Sequence, residues 1–306
     1  MTHVLVFGAS GFIGRHVVGA LEHDRRAARV SCPGRDRCDL SAVDTDELAQ
    51  VLRDLMPDVV VNCTGRLDGV VDELIRANTL VTAKLIAAIG AVNPAMRFVR
   101  LGSAGEYGRV ARGTAAREDD PAAPVSEYGV SLLAATRLVD LARAAGRVDG
   151  LTLRVFNPIG PGLQDHTLLG RAATQLREAV VDHAAAISLG PLSPSRDFVD
   201  VRDVAAAVVA AALGPRPPKS VFNVGSGRAV TAREAVHLLA SAAGFTGEVR
   251  EEGEPSGRSA TVDWMLADIS RAAEALGWRP AHGLTDSITA IWADAGGTVR
   301  VGCDRR

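Results

Sequence analysis

Three glycines, Gly8, Gly11 and Gly14 in the run GASGFIG, carry the first spacing capable of chemistry. They follow a short apolar run, HVLVFG (His3 to Gly8), and open a helical pattern. Glycine permits the tight turn and lets backbone N–H groups approach a pyrophosphate, while the helix N-terminus adds dipole and donors. Three glycines alone are a loose pattern, but placed after a buried strand they read as a dinucleotide cradle. Gly8, Ser10, Gly11, Phe12, Ile13 and Gly14 are the expected contacts. Which dinucleotide is held depends on the end of the second strand, where NAD enzymes place a carboxylate for the ribose 2′-hydroxyl. Here the chain reads SCPGRDRCDL, with no acid at the strand end and Arg35 and Arg37 just beyond. Guanidinium groups suit a 2′-phosphate, so NADP(H) is expected ahead of NAD(H). Asp39 and Leu40 fall where such folds contact adenine.

The elements that must position this loop alternate strand and helix. After the first strand come a helix from Gly11 to Glu22, a strand ARVSCP, a helix over Asp46–Leu55 and a strand PDVVVNCTG. A long helix around Asp72–Ile89, the strand RFVRLGS, a polar loop over Arg112–Pro124, a helix over Glu127–Ala145 and the strand LTLRVFN follow. That alternation predicts an α/β fold, a doubly wound parallel Rossmann sheet with right-handed crossovers. Residues 1–156 are expected to form it, with 157–306 mainly a smaller mixed substrate-binding lobe from which some segments return to the core. In the second half, Thr231 followed by Glu234 has capping-box spacing. At 47% apolar and 23% charged, with net charge −2 and no block of one sign, the chain reads as an ordinary folded protein without a nucleic-acid surface. No uninterrupted apolar run reaches about 18 residues and no signal peptide is evident, so no membrane partner is expected. Cys32, Cys38, Cys63 and Cys303 lack metal spacing, which points to a reducing cytoplasm and no metal site. Cys32 and Cys63 read as buried structural thiols.

Further along, Ser103 in LGSAGEYG and Tyr128 in SEYGVSL, then LRVFNPIGPG, SRDFVDVRDVA, VFNVGSG and ADISRAAEALGWRP, come in a fixed order. This set resembles the extended short-chain dehydrogenase/reductase family acting on nucleoside-diphosphate sugars, from about Val4 to Ile291. GSAGEYG, NPIGPG and the Arg258 to Asp268 stretch are most like its 4-keto-6-deoxyhexose reductases and GDP-mannose dehydratases. The resemblance implies that Tyr128 moves a proton at the sugar oxygen while hydride moves at nicotinamide C4, with Ser103 orienting that oxygen. Tyr128 would also border the cofactor. Asn157, Arg196 and Arg258 resemble positions that hold the nucleotide and diphosphate. Asn78 matches a family helix asparagine and is expected to make a structural hydrogen bond. His166 reads as a loop or substrate-wall histidine. Family members often dimerise through the two long helices, so a homodimer is expected.

Two departures bear on the reaction. The family pattern is YxxxK, but the position four after Tyr128 is Leu132. The lysine would share a helix face with the phenol, hydrogen bond the cofactor ribose and lower the tyrosine pKa. Neither Lys84 nor Lys219 belongs to a motif known for that role. An unperturbed tyrosine, at about 10, suits proton donation to a ketone better than proton removal from a hydroxyl. Where dehydratases carry an acidic pair, Ala104 and Gly105 stand, so dehydration is not expected. The function expected is NADPH-dependent reduction of a nucleoside-diphosphate 4-keto-6-deoxyhexose in deoxysugar biosynthesis. The alternatives are an NAD-dependent nucleotide-sugar epimerase and, prompted by Leu132, a catalytically weak cofactor-binding regulator.

Overall fold

The computed structural model describes residues 2–252 and 262–294. Six parallel strands form the central sheet: β1 (Thr2–Phe7), β2 (Ala27–Ser31), β3 (Val59–Asn62), β4 (Arg97–Ser103), β5 (Asp149–Val155) and β10 (Val221–Val224). Their spatial order is β10-β5-β4-β3-β1-β2. The chain therefore reverses direction across the sheet between β1 and β3, and ligands of open α/β sheets bind at the strand C-termini beside such a switch point. The strands read as unbroken apolar runs because both faces are covered. Val4, Val6, Val61 and Val99 pack toward α1 (Phe12–His23), α7 (Val201–Leu213) and Trp278, just past α9 (Ser270–Leu276). Leu5, Phe7, Val60 and Phe98 face α2 (Thr45–Leu55), α4 (Val81–Val92) and α5 (Glu127–Ala144). Side chains that alternate along each strand thus build two separate cores.

A third core lies off the sheet. Leu169, Leu176, Val236, Leu239, Ile288 and Ile291 bring together α6 (Leu168–Asp182), α8 (Ala232–Ala242) and α10 (Leu284–Ala293). Short strands serve this lobe: β6 (Pro158–Ile159) beside β9 (Val199–Asp200), β7 (Ala186–Leu189) beside β12 (Glu248–Glu251), and β8 (Ser195–Asp197) against β11 (Ala229–Thr231). Between these elements α7, β10 and α9 return to the sheet. Thr231 caps α8, its hydroxyl accepting from Glu234 N at 3.1 Å, one half of the capping box that its spacing suggested.

Three boundaries differ from the sequence reading. The second strand stops at Ser31, because its last partner on β1 is Leu5 and Pro33 has no N–H to extend the ladder. Cys32 and Cys63 therefore lie just beyond strand ends rather than inside strands. The long helix is continuous over Val71–Val92, opening with α3 (Val71–Leu74) and passing through a π-helical turn, Ile75–Leu80, before α4. This is the described helix long and apolar enough to span a membrane. Here, however, it packs against α2 and α5 and opens with the acids Asp72 and Glu73.

Candidate active site

The cofactor loop joins β1 to α1 at the switch point. Gly8 has φ +78°, and a β-carbon there would lie 2.8 Å from the Cys63 carbonyl carbon and from Thr64 N. Only glycine fits so close to the neighbouring chain. A β-carbon on Gly14 would sit 1.9 Å from Gly8 O, so this glycine lets α1 press against the turn. Gly11 is the helix N-cap and offers no side-chain acceptor, which leaves the first-turn N–H groups, those of Phe12 and Ile13 included, facing outward for an anion. Ser10 is exposed beside them. A cradle into which no side chain fits, at a helix start without its own cap, suits a dinucleotide pyrophosphate. Burial pushes the Cys63 thiol up to about 12, so it stays neutral beside this loop.

Parallel pairing sets the C-terminal end of β2 beside that of β1. Arg35 and Arg37 stand exposed in the loop beyond it. Asp39 accepts from Ser41 N and Oγ, at 2.9 and 2.6 Å, and these bonds with the Arg35 charge hold its carboxyl below the usual range. Leu40 turns its side chain into the core under α2. Its carbonyl receives Lys84 Nζ at 2.6 Å, and Val43 O receives the same ammonium at 2.7 Å. Lys84 is thereby a clasp on this loop.

Ser103 ends β4 and Tyr128 lies in the first turn of α5, both half-buried. Gly105 lies between them: a β-carbon there would be 3.5 Å from Ser103 Oγ and 3.7 Å from Tyr128 Cδ1 and Cε1. One of the two residues that depart from the dehydratase pattern thus borders both hydroxyl-bearing residues. Ser103 Oγ accepts from Gly105 N at 3.1 Å, which leaves its own proton to donate. Asn78, in the π-helical turn, makes the structural bonds anticipated for it. Its Oδ1 accepts from Arg66 N at 2.8 Å, and its Nδ2 donates to Arg66 O and to Ser131 Oγ, both at 2.9 Å. It joins the loop after β3 to the stretch of α5 between Tyr128 and Leu132. An extra helical residue is a common feature at functional sites.

On the other wall, Asn157 Nδ2 donates to Asp197 O at 3.1 Å. The half-buried Arg196 donates to Ser195 O and Val262 O, at 2.9 and 2.6 Å. Burial holds its pKa below the usual arginine value. Arg196 therefore anchors the chain where it leaves the 253–261 segment. Arg258 belongs to that segment and lies outside the described residues. Asp197, which sequence reasoning passed over, organises this corner. Its buried carboxylate receives Ser226 N and Oγ at 2.6 Å, Gly227 N at 3.0 Å and Ala267 N at 3.1 Å. The 112–124 loop is ordered by the same wall: Glu118 accepts from Asn223 N at 2.8 Å and Arg117 pairs with Asp268 at 3.0 Å. His166 is exposed in the loop before α6. Among the described residues no group of three or more His, Cys, Asp or Glu could hold a metal.

Sequence reasoning also passed over a charged network under the site. Arg100 and Arg154, each 2% exposed, and Glu106, fully buried, lie beneath α5. Glu106 Oε2 receives Arg154 Nε and Thr136 Oγ1, both at 2.8 Å, and its Oε1 receives Ser103 N at 3.1 Å. Tyr107 donates to Asn223 Oδ1 at 2.6 Å beneath the Arg154 guanidinium. Burial pushes its phenol up to about 12. Desolvation works against the charge of Arg154, but Glu106 and Tyr107 outweigh it and raise its pKa. A signal was present: an arginine inside each of two buried strands, RFVRLGS and LTLRVFN, is tolerated only when paired.

A doubly wound sheet with a glycine cradle at its switch point, Ser103 at the end of β4 and Tyr128 at the start of α5, is the framework of an NAD(P)-dependent enzyme. Residues 4–225 match the model of the NAD dependent epimerase/dehydratase family, and the chain belongs to that family. It is 41% identical to a dTDP-6-deoxy-L-talose 4-dehydrogenase (NAD(P)(+)) of Kitasatospora kifunensis, over 94% of each chain. It is 30% identical to a GDP-6-deoxy-D-mannose reductase of Pseudomonas aeruginosa, over 97% of this chain and 98% of that one. Among solved structures, RMD from Pseudomonas aeruginosa complexed with NADPH superposes with a TM-score of 0.82 at 28% identity, covering 96% of this chain and 99% of that one.

Proposed function

We propose that this protein is an NADPH-dependent ketoreductase acting on a nucleoside-diphosphate 4-keto-6-deoxyhexose in deoxysugar biosynthesis. The observation that carries the reading is the end of β2. A reductase consumes its cofactor and must exchange it, and the strand end where an NAD enzyme would keep an acid has none, with Arg35 and Arg37 in the loop just beyond. Two relatives support the substrate class, one named for action at position 4 of a dTDP-6-deoxy sugar and the other for reduction within a GDP-linked one. When bound, NADPH supplies the hydride. Tyr128 donates the proton to the ketone oxygen, and the Ser103 hydroxyl, whose acceptor side is occupied by Gly105 N, holds that oxygen in line. Ala104 and Gly105 leave no acid to expel water from the sugar. Asn157 and Arg196, together with Arg258 on the strength of its sequence motif alone, are assigned to binding the nucleotide and diphosphate.

In this account residues 1–156 form the cofactor domain and 157–306 mainly the substrate lobe. The enzyme works in the cytoplasm as a homodimer. Val71, Leu80, Val130 and Leu141, between 49% and 64% exposed on the two long helices, are the apolar surface a partner subunit would cover.

The cofactor assignment has a direct outcome. NADPH is expected to bind at least tenfold more tightly than NADH, and Arg35→Ala with Arg37→Ala to remove that preference while leaving NADH affinity within about twofold. Fluorescence titration of both cofactors against both proteins measures it. Equal affinities in the wild type would end the NADPH assignment and favour the epimerase reading.

A further inference from the structure

We propose that the buried Arg100 guanidinium supplies Tyr128 with the positive charge that Leu132 cannot; the proposal rests on reading Tyr128 as the proton donor. Arg100 projects from β4 under α5 and donates to Leu132 O at 3.4 Å and to Thr136 Oγ1 at 2.9 Å. Leu132 and Thr136 lie four and eight residues beyond Tyr128, one and two helical steps along the same face. The cation therefore meets α5 on the face where the family lysine would stand, approaching from the sheet instead of along the helix.

The charge balance beneath the helix makes the coupling effective. Two arginines, Arg100 and Arg154, face one carboxylate, Glu106, and all three are buried. The cluster keeps one positive charge in excess. Arg154 Nη1 is buried without a hydrogen-bond partner. Burial lowers the Arg100 pKa, while Glu106 and then Tyr128 raise it. A pair interaction is mutual: whatever a phenolate does for the guanidinium, the guanidinium does for the phenolate. Arginine keeps its proton in such surroundings.

Other charges near the helix are engaged elsewhere. Asp140, farther along α5, also acts on Arg100 but is held by Ser220 at 2.6 Å and pairs with Arg137 at 3.7 Å. On the α3 side, Asp72 pairs with Arg76 and Glu73 with Arg66. Lys84 is clasped by the loop carbonyls. Glu127 is exposed at the helix start. Arg100 thus restores the electrostatic half of the missing lysine, but from beneath α5 it leaves the ribose hydrogen bond unreplaced. Tyr128 is then not the unperturbed phenol that Leu132 alone implied.

The chain has only two tyrosines, and Tyr107 titrates up at about 12, so the phenolate absorbance of the free protein reports Tyr128 by itself. The first phenolate step is expected about one pH unit or more below the ordinary tyrosine value of ~10. Arg100→Met should move it up by about a unit, roughly tenfold less phenolate at a given pH, and shift the pH profile of alcohol oxidation the same way. Adding Leu132→Lys to Arg100→Met should return both toward wild type. Glu106→Gln, which removes the opposing charge, should move the step down, and decides the matter if Arg100→Met does not fold. A wild-type step at or above ~10 that Glu106→Gln leaves in place would overturn the proposal. The titration needs neither substrate nor cofactor, so it stands or fails apart from the reductase reading, which turnover tests separately.

Discussion

Tyr128→Phe is expected to lower kcat for ketone reduction by roughly 10²–10⁴-fold, about 3–5 kcal/mol of lost transition-state stabilisation, with cofactor affinity nearly unchanged. The ring remains and keeps its contact beside Gly105, so the helix start and the Ser103 turn should be preserved. Only the hydroxyl that delivers the proton is lost. A loss confined to kcat marks an interaction made in the transition state, whereas a rise in KM alone would make Tyr128 a binding residue. Steady-state kinetics with the keto sugar and NADPH separate the two. Less than a tenfold drop would remove Tyr128 as the proton donor.

Gly14→Ala should be the most damaging change in the cofactor loop. A β-carbon 1.9 Å from Gly8 O cannot be accommodated by turning a side chain, because both partners are backbone. The first turn of α1 must lift away from β1, at a cost of roughly 3 kcal/mol or more, and the N–H groups that would hold the pyrophosphate move with it. Thermal unfolding should show a lowered midpoint, and NADPH should stabilise the variant far less than the wild type. Gly19, in the same helix, is the control: a β-carbon there meets nothing within 4 Å. Gly19→Ala should leave stability and binding intact.

The parts of this molecule that were legible in sequence are those fixed locally. The turn at Gly8 is dictated by the residues that form it, and the apolar runs of β1 and β3 declare a sheet covered on both faces. Tyr128 and Ser103 were singled out because their flanking motifs resemble a family, though nothing in their spacing said that both would border Gly105. What stayed hidden depends on distant partners. Arg196 reads as a phosphate ligand by type, yet two of its bonds are to the backbone of Ser195 and Val262. Leu40 reads as a cofactor contact by position, but its side chain is part of the core. Arg100, Glu106 and Arg154 meet only when β4 and β5 lie side by side beneath α5. Each looked like an isolated charge in a strand or loop. The absence at Leu132 was visible in the sequence, while its counterpart beneath the helix was not.

The central claim is hydride delivery from exchangeable NADPH to the ketone carbon of a nucleotide sugar. The measurement that tests it most directly uses NADPH carrying deuterium at the transferable position of nicotinamide C4, with dTDP- and GDP-linked 4-keto-6-deoxyhexoses. One deuterium is expected at sugar C4 per cofactor oxidised, read by mass spectrometry and proton NMR. A single configuration is expected at that carbon, with no deuterium elsewhere on the ring. Interconversion of two sugar epimers without net oxidation of NADPH, and with no deuterium in the product, would contradict it and make the protein an epimerase.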